Sequence, residues 1–149
     1  MIAVPDANIL LRIVETASKQ HPVALAAVDE LRRKGFSLNT VPQCFYEFWS
    51  VATRPLINNG LGLSTAEADQ EIARLLVPFP LIDDTPDLFP EWRALVLAHD
   101  CKGKVAHDAR MVAAMRTHRL THILTFNIND FTRFPGITVL NPASVSSSS

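Results

Sequence analysis

Four acids in this sequence could carry chemistry. Asp6 follows the apolar run that opens the chain, and Asp130 comes four residues after the run HILTF. Ligands of an open parallel sheet bind outside the carboxyl ends of its strands, where strand order reverses, so both acids are placed for a site. Asp6 could equally be the N-cap of a helix starting at Ala7. Asp108 says more. On a helix starting near Val105 its neighbours at i+3, i+4 and i+7 are Met111, Val112 and Met115, which puts a carboxylate on an apolar face. That burial is costly unless hydrogen bonds, a basic partner or a metal compensate it. The plain alternative, a first-turn helix-dipole interaction, contributes only about 0.3–1 kcal/mol. Glu47 lies off the stripe of Phe45, Phe48, Trp49 and Ala52 in PQCFYEFWSVATRP, with Arg54 on its own side of the helix, and taken alone it reads as a solvated face.

Together the four acids suggest a cation site. Carboxylates 4 Å apart repel by roughly 4 kcal/mol per pair at an effective dielectric near 20, so a converging set needs cations. Hard oxygen ligands with little else select Mg²⁺ or Mn²⁺, ions that activate water and stabilise a phosphoryl transition state.

The elements that must position these acids alternate along the chain. Apolar runs at 1–5, 36–40, 79–82, 122–126 and 137–140 predict five strands, and 3.6-residue periodicity predicts helices over 23–34, 42–52, 64–76, 88–98 and 105–118. This is the pattern of β-α-β units around a parallel sheet with helices on both faces. Pro42 suits a first helical turn, Ser64 with Glu67 matches a capping box, and Gly35 follows the basic helix end Arg32, Arg33, Lys34. The segment 53–63, rich in Pro, Asn and Gly, is expected to be a mobile loop. The domain is expected to span 1–142, with 143–149 a flexible tail.

With 149 residues and 48% apolar content, the chain can bury a core without staples. Cys44 and Cys101 make neither a disulfide framework nor a CxxC site, which points to a reducing, cytoplasmic setting. Asp6 and Arg12 interrupt the one stretch resembling a signal peptide, and no long apolar run predicts a membrane span. The five histidines form no zinc pattern, His107 reads as a boundary residue, and phosphate-binding glycine loops are absent.

DANIL, YEFWSVATRP, KVAHDARMVAAM and ILTFNINDFTRFPGITVLNP, in this order and spacing over nearly the whole chain, resemble the PIN-domain family, particularly its VapC-type toxin ribonucleases. The resemblance implies a three-layer α/β/α sandwich with a mainly parallel sheet of about five strands. It also implies a Mg²⁺ or Mn²⁺ site that hydrolyses RNA, leaving 5′-phosphate and 3′-hydroxyl ends. The family's four acids fall on Asp6, Glu47, Asp108 and Asp130, as catalytic residues and metal ligands. Asn8 matches a polar position of the first motif, and Thr125 a hydroxyl that supports the first aspartate. Asn127 stands where many members carry another aspartate, which implies a weaker second-metal site. The resemblance further implies an antitoxin partner and a homodimer.

Candidates for RNA phosphate contacts are Arg54, Lys102, Lys104, Arg110 and Arg133, which flank the acids. Two other readings stand beside the nuclease. One is a receiver-like signalling domain using Asp83 and Asp84, disfavoured because the chain lacks paired acids after its first strand. The other is a catalytically weak or inactive PIN-like module that binds RNA or a partner. Net charge is −1, which by itself argues against RNA. Setting the four site acids aside leaves 11 acids against 14 bases, and 6 of those bases lie in residues 101–149.

Overall fold

The runs MIAVP at 1–5 and HILTF at 122–126 are largely apolar without alternation, so both faces of the sheet must be covered at these strands. The computed structural model describes residues 1–146. Strands β1 (Ile2–Pro5), β2 (Ser37–Leu38), β3 (His122–Leu124) and β4 (Thr138–Leu140) pair in parallel in the order β2-β1-β3-β4. Ala3, Val4, Ile123 and Leu124 are fully buried in the centre of this sheet. The described helices are α1 (Ala7–Val14), α2 (His21–Arg33), α3 (Pro42–Ala52), α4 (Thr65–Leu75), α5 (Leu88–Ala98), α6 (Val105–Thr117) and α7 (Pro142–Ser146). Helix α1 packs on α2 and α3, and α5 packs on α6. The architecture is the expected α/β/α sandwich.

The sheet has four strands where five were expected. Segment 79–82 contributes one bridge, Leu81 beside Thr40, in which Thr40 N donates to Pro80 O and Ile82 N donates to Thr40 O. Pro78 and Pro80 have no N–H with which to extend a ladder. The expected tail also needs correction. Residues 142–146 form α7, which packs against α2 and buries Val145, so the ordered chain continues past 142. The remaining tail positions, 147–149, lie outside the described residues.

Local chemistry sets the helix ends. The missing N–H of Pro42 costs nothing in the first turn of α3. Ser64 accepts from Glu67 N at 3.1 Å while Glu67 accepts from Ser64 N at 2.9 Å, closing the expected capping box of α4. After α2, Gly35 adopts φ +96°, and Phe36 N reaches back to Leu31 O at 2.9 Å, a reversal that leads directly into β2.

The 53–63 loop is tied to the end of α3. Leu61 N, Gly62 N and Leu63 N donate to Val51 O, Arg54 O and Ala52 O at 3.2, 2.9 and 2.9 Å. Gly60 lies so close that a Cβ there would collide with the Arg54 carbonyl. The loop is therefore anchored, contrary to the expectation of mobility, and it fixes the backbone of Arg54. Among the described residues no helix is long and apolar enough to cross a membrane.

Candidate active site

Strand order reverses between β1 and β3. The chain moves from β1 to β2 on one side and returns to β3 on the other, which opens a crevice at the carboxyl ends of these two central strands. Asp6 N donates to Leu124 O at 2.9 Å, which places the residue after β1 against the end of β3. A cleft of about 590 Å³ opens here, lined by all four acids: Asp6, Glu47, Asp108 and Asp130. They come from the end of β1, from α3, from the first turn of α6 and from the 3-10 turn Ile128–Asp130 after β3.

Asp6 is 5% exposed and does both things its sequence position allowed. Its Oδ1 accepts from Ala7 N at 2.8 Å at the start of α1, while Oδ2 accepts from Thr125 Oγ1 at 2.9 Å and from Asn8 Nδ2 at 3.3 Å. Thr125, fully buried, is the hub of this network. Its Oγ1 also accepts from Asn8 Nδ2 at 2.9 Å and from Asn127 N at 3.0 Å, and Asn8 Oδ1 accepts from Phe126 N at 3.0 Å. Asn8 and Thr125 thus hold Asp6, and the segment after β3, in one geometry. Asn127 is exposed on the wall of the cleft.

The acids strain one another electrostatically. Burial pushes the Asp6 carboxyl above its ordinary range, and the charge of Asp130 adds to that, while the bonds from Thr125 and Ala7 oppose it. Burial likewise raises Glu47 to about 7, with Asp6 and Asp108 adding to the shift and Gln43 and Lys104 opposing it. Asp108 rises to about 6 through burial, then through Asp130 and Asp6, against Lys104 and His107. Partial burial of mutually repelling carboxylates is unfavourable without a cation, and the donor set is all oxygen. Those donors suit Mg²⁺ or Mn²⁺. Among the described residues no three Asp, Glu, His or Cys side chains converge closely enough to enclose an ion. Mg²⁺ needs no such cage, because it keeps several waters and commonly takes one or two carboxylates.

Of the five basic candidates, Arg54, Lys104 and Arg110 line the cleft. Lys102 and Arg133 do not; Lys102 pairs with exposed Asp100 at 3.4 Å. Arg110 is heavily engaged: its Nη1 donates to Gln43 Oε1 at 3.2 Å, its Nη2 lies 3.6 Å from Asp84, and its guanidinium sits over the Tyr46 ring at 5.5 Å. Asp84 therefore serves Arg110, and neither it nor Asp83 lines the cleft with Asp6, which removes the geometry a receiver-like site requires.

Tyr46 and Gln43 are among the cleft residues not singled out from the sequence. Tyr46 is 59% exposed beside Glu47. Gln43 is buried and donates to Glu47 Oε1 at 2.8 Å and to His107 O at 2.7 Å. Its i, i+4 spacing to Glu47 is visible in the sequence; the inward turn of that helix face is not.

The family profile described as PIN domain matches residues 3–137. The fold is similar to VapBC2 from Rickettsia felis bound to a promoter DNA fragment, with TM-score 0.69, 16% identity, and coverage of 95% of this chain and 98% of that one. It is similar to a toxin-antitoxin complex from Klebsiella pneumoniae, with TM-score 0.62, 22% identity, and coverage of 94% and 97%. VapC20 of Mycobacterium tuberculosis, a sarcin-ricin loop cleaving toxin, gives TM-score 0.59, 18% identity, and coverage of 83% and 87%. In sequence, the curated proteins named bifunctional protein HldE from Pectobacterium atrosepticum and Erwinia tasmaniensis are 27% and 30% identical over 144 and 146 residues. Those alignments cover 91% of this chain, which spans 30% of the length of either relative.

Proposed function

Because this chain belongs to the PIN-domain family, we propose that it is a Mg²⁺- or Mn²⁺-dependent endoribonuclease and the toxin of a toxin–antitoxin pair. The observation that carries the nuclease reading is the meeting of Asp6, Glu47, Asp108 and Asp130, from four separate segments, in one cleft at the strand-order reversal. The toxin role rests on similarity of fold to VapBC and other toxin–antitoxin complexes, and it brings with it an antitoxin partner, a homodimer and a cytoplasmic setting.

In this reading Asp6, Asp108, Glu47 and Asp130 would hold the cation, directly or through water. When bound, it supplies Lewis-acid chemistry, making water nucleophilic near neutral pH and offsetting charge that builds on the phosphate. Thr125 and Asn8 keep the Asp6 carboxylate oriented, so little reorganisation is needed as the phosphate charge develops. Lys104 and Arg54 neutralise the RNA backbone across the cleft, and Arg110, already held by Gln43 and Asp84, forms a fixed part of the same wall. Asn127 offers a neutral oxygen where a further carboxylate would strengthen a second cation site. The products would carry 5′-phosphate and 3′-hydroxyl ends.

The test is incubation of antitoxin-free protein with total RNA in Mg²⁺, in Mn²⁺ and in EDTA. Cleavage with either cation, abolished by EDTA, supports the enzyme; RNA binding without cleavage in any condition would leave a PIN-like binding module. Growth arrest on expression, relieved by the neighbouring reading frame, tests the toxin role separately.

A further inference from the structure

Gln43 is 4% exposed in the first turn of α3, and every polar hydrogen of its side chain has a partner. One Nε2 hydrogen goes to Glu47 Oε1 and the other to the carbonyl of His107, the residue before Asp108. Oε1 accepts from Arg110. Flipping the amide would set its oxygen against a carboxylate and a carbonyl and turn its NH₂ toward a guanidinium, so the network fixes the orientation. Among the described residues the Glu47 carboxylate has no other hydrogen-bond donor. One side chain therefore spans the cleft, holding a carboxylate of α3 and the backbone beside a carboxylate of α6.

We propose that Gln43 is a positioning residue for the cation site, setting the orientation of Glu47 and its separation from Asp108; this rests on the nuclease reading above. Groups that orient metal ligands in this way typically change metal affinity by about 10- to 100-fold when removed. Arg110 retains Asp84 and Tyr46 when Gln43 is lost, so the wall should survive the change.

The experiment measures Mn²⁺ affinity of metal-free protein by calorimetry, without RNA, for wild type, Gln43→Met, Gln43→Asn, Glu47→Ala and the Gln43→Met/Glu47→Ala double variant. Both Gln43 variants are expected to bind Mn²⁺ at least about tenfold more weakly. Both variants should still fold cooperatively without metal, melting a few degrees lower for the buried hydrogen bonds lost, and kcat should fall with KM for RNA little changed. In the Glu47→Ala background, Gln43→Met is expected to add little, because the two act as a unit. Unchanged affinity in the single variants, full additivity in the double variant, or failure of both Gln43 variants to fold would each overturn the proposal. A wild-type protein that binds no Mn²⁺ would instead remove the nuclease reading on which it rests.

Discussion

The metal-free protein should lose stability as pH rises, because Glu47 and Asp108 hold their protons more tightly when folded. Their carboxyls lie at about 7 and about 6, against ordinary values of 4.5 and 3.8. An acid raised on folding contributes stability that is fully present below its unfolded pKa and is lost as pH climbs through its folded pKa. The loss should therefore begin near pH 4 and be complete above about pH 7. At roughly 1.4 kcal/mol per tenfold change in proton affinity, each group would contribute about 3 kcal/mol unscreened. Both are partly exposed to the open cleft and share their repulsion, so about half of the sum, ~3 kcal/mol for the pair, is the expected size. For a chain of this length that is a fall of roughly 6–12 °C in melting temperature between pH 4.5 and 8. The assay is thermal unfolding in EDTA across that range, repeated with Mg²⁺ or Mn²⁺. The cation should reverse most of the fall at pH 8, and Glu47→Gln with Asp108→Asn should flatten the metal-free profile. Melting that rises with pH in EDTA, or a fall of the same size in the double variant, would refute the reasoning.

Three further outcomes are expected. Thr125→Val keeps shape but leaves Asp6 Oδ2 without its buried hydroxyl donor, so unfolding should cost about 2–3 kcal/mol less by denaturant titration, and cleavage should drop as Asp6 loses its orientation. Gly60→Ala should destabilise the protein by about 1–3 kcal/mol in the same measurement, because its Cβ would collide with the Arg54 carbonyl; no loss would mean the 53–63 loop yields freely. Lys104→Ala and Arg54→Ala should each weaken RNA binding and reduce the salt slope by about one, measured by fluorescence anisotropy, whereas Lys102→Ala and Arg133→Ala should leave both nearly unchanged.

What the sequence revealed depended on how local the cause was. The bounds of α3 and α5 follow from Pro42 and from apolar periodicity, and both are as expected, 42–52 and 88–98. The fifth strand failed because an apolar run at 79–82 looks the same whether or not a neighbouring strand can pair with it, and the prolines at 78 and 80 decide against it. α7 was missed because PASVS has too little apolar pattern for a helix; Val145 is ordered by its burial in the core beside α2. For the site, Asp6 and Asp108 stand out because a carboxylate in an apolar setting is visible in one dimension. Glu47 off its apolar stripe is not, and its half-burial depends on α6 closing over it through Gln43, a contact 64 residues away in the chain. Among the basic candidates Lys104 and Arg110 stand out in sequence because both flank Asp108, whereas only the cleft brings Arg54 to join them and sets Lys102 and Arg133 apart.

The most direct test of the cation-dependent nuclease is a side-by-side assay of wild type, Asp6→Asn and Asp108→Asn on one RNA, in Mg²⁺ and in EDTA, with folding of each checked by its melting curve. Wild type should cut only with Mg²⁺ and leave 5′-phosphate ends, and both variants should fold and lose at least about 10²-fold in rate. Full cleavage by either folded variant, or wild-type cleavage that persists in EDTA, would contradict the assignment of these acids.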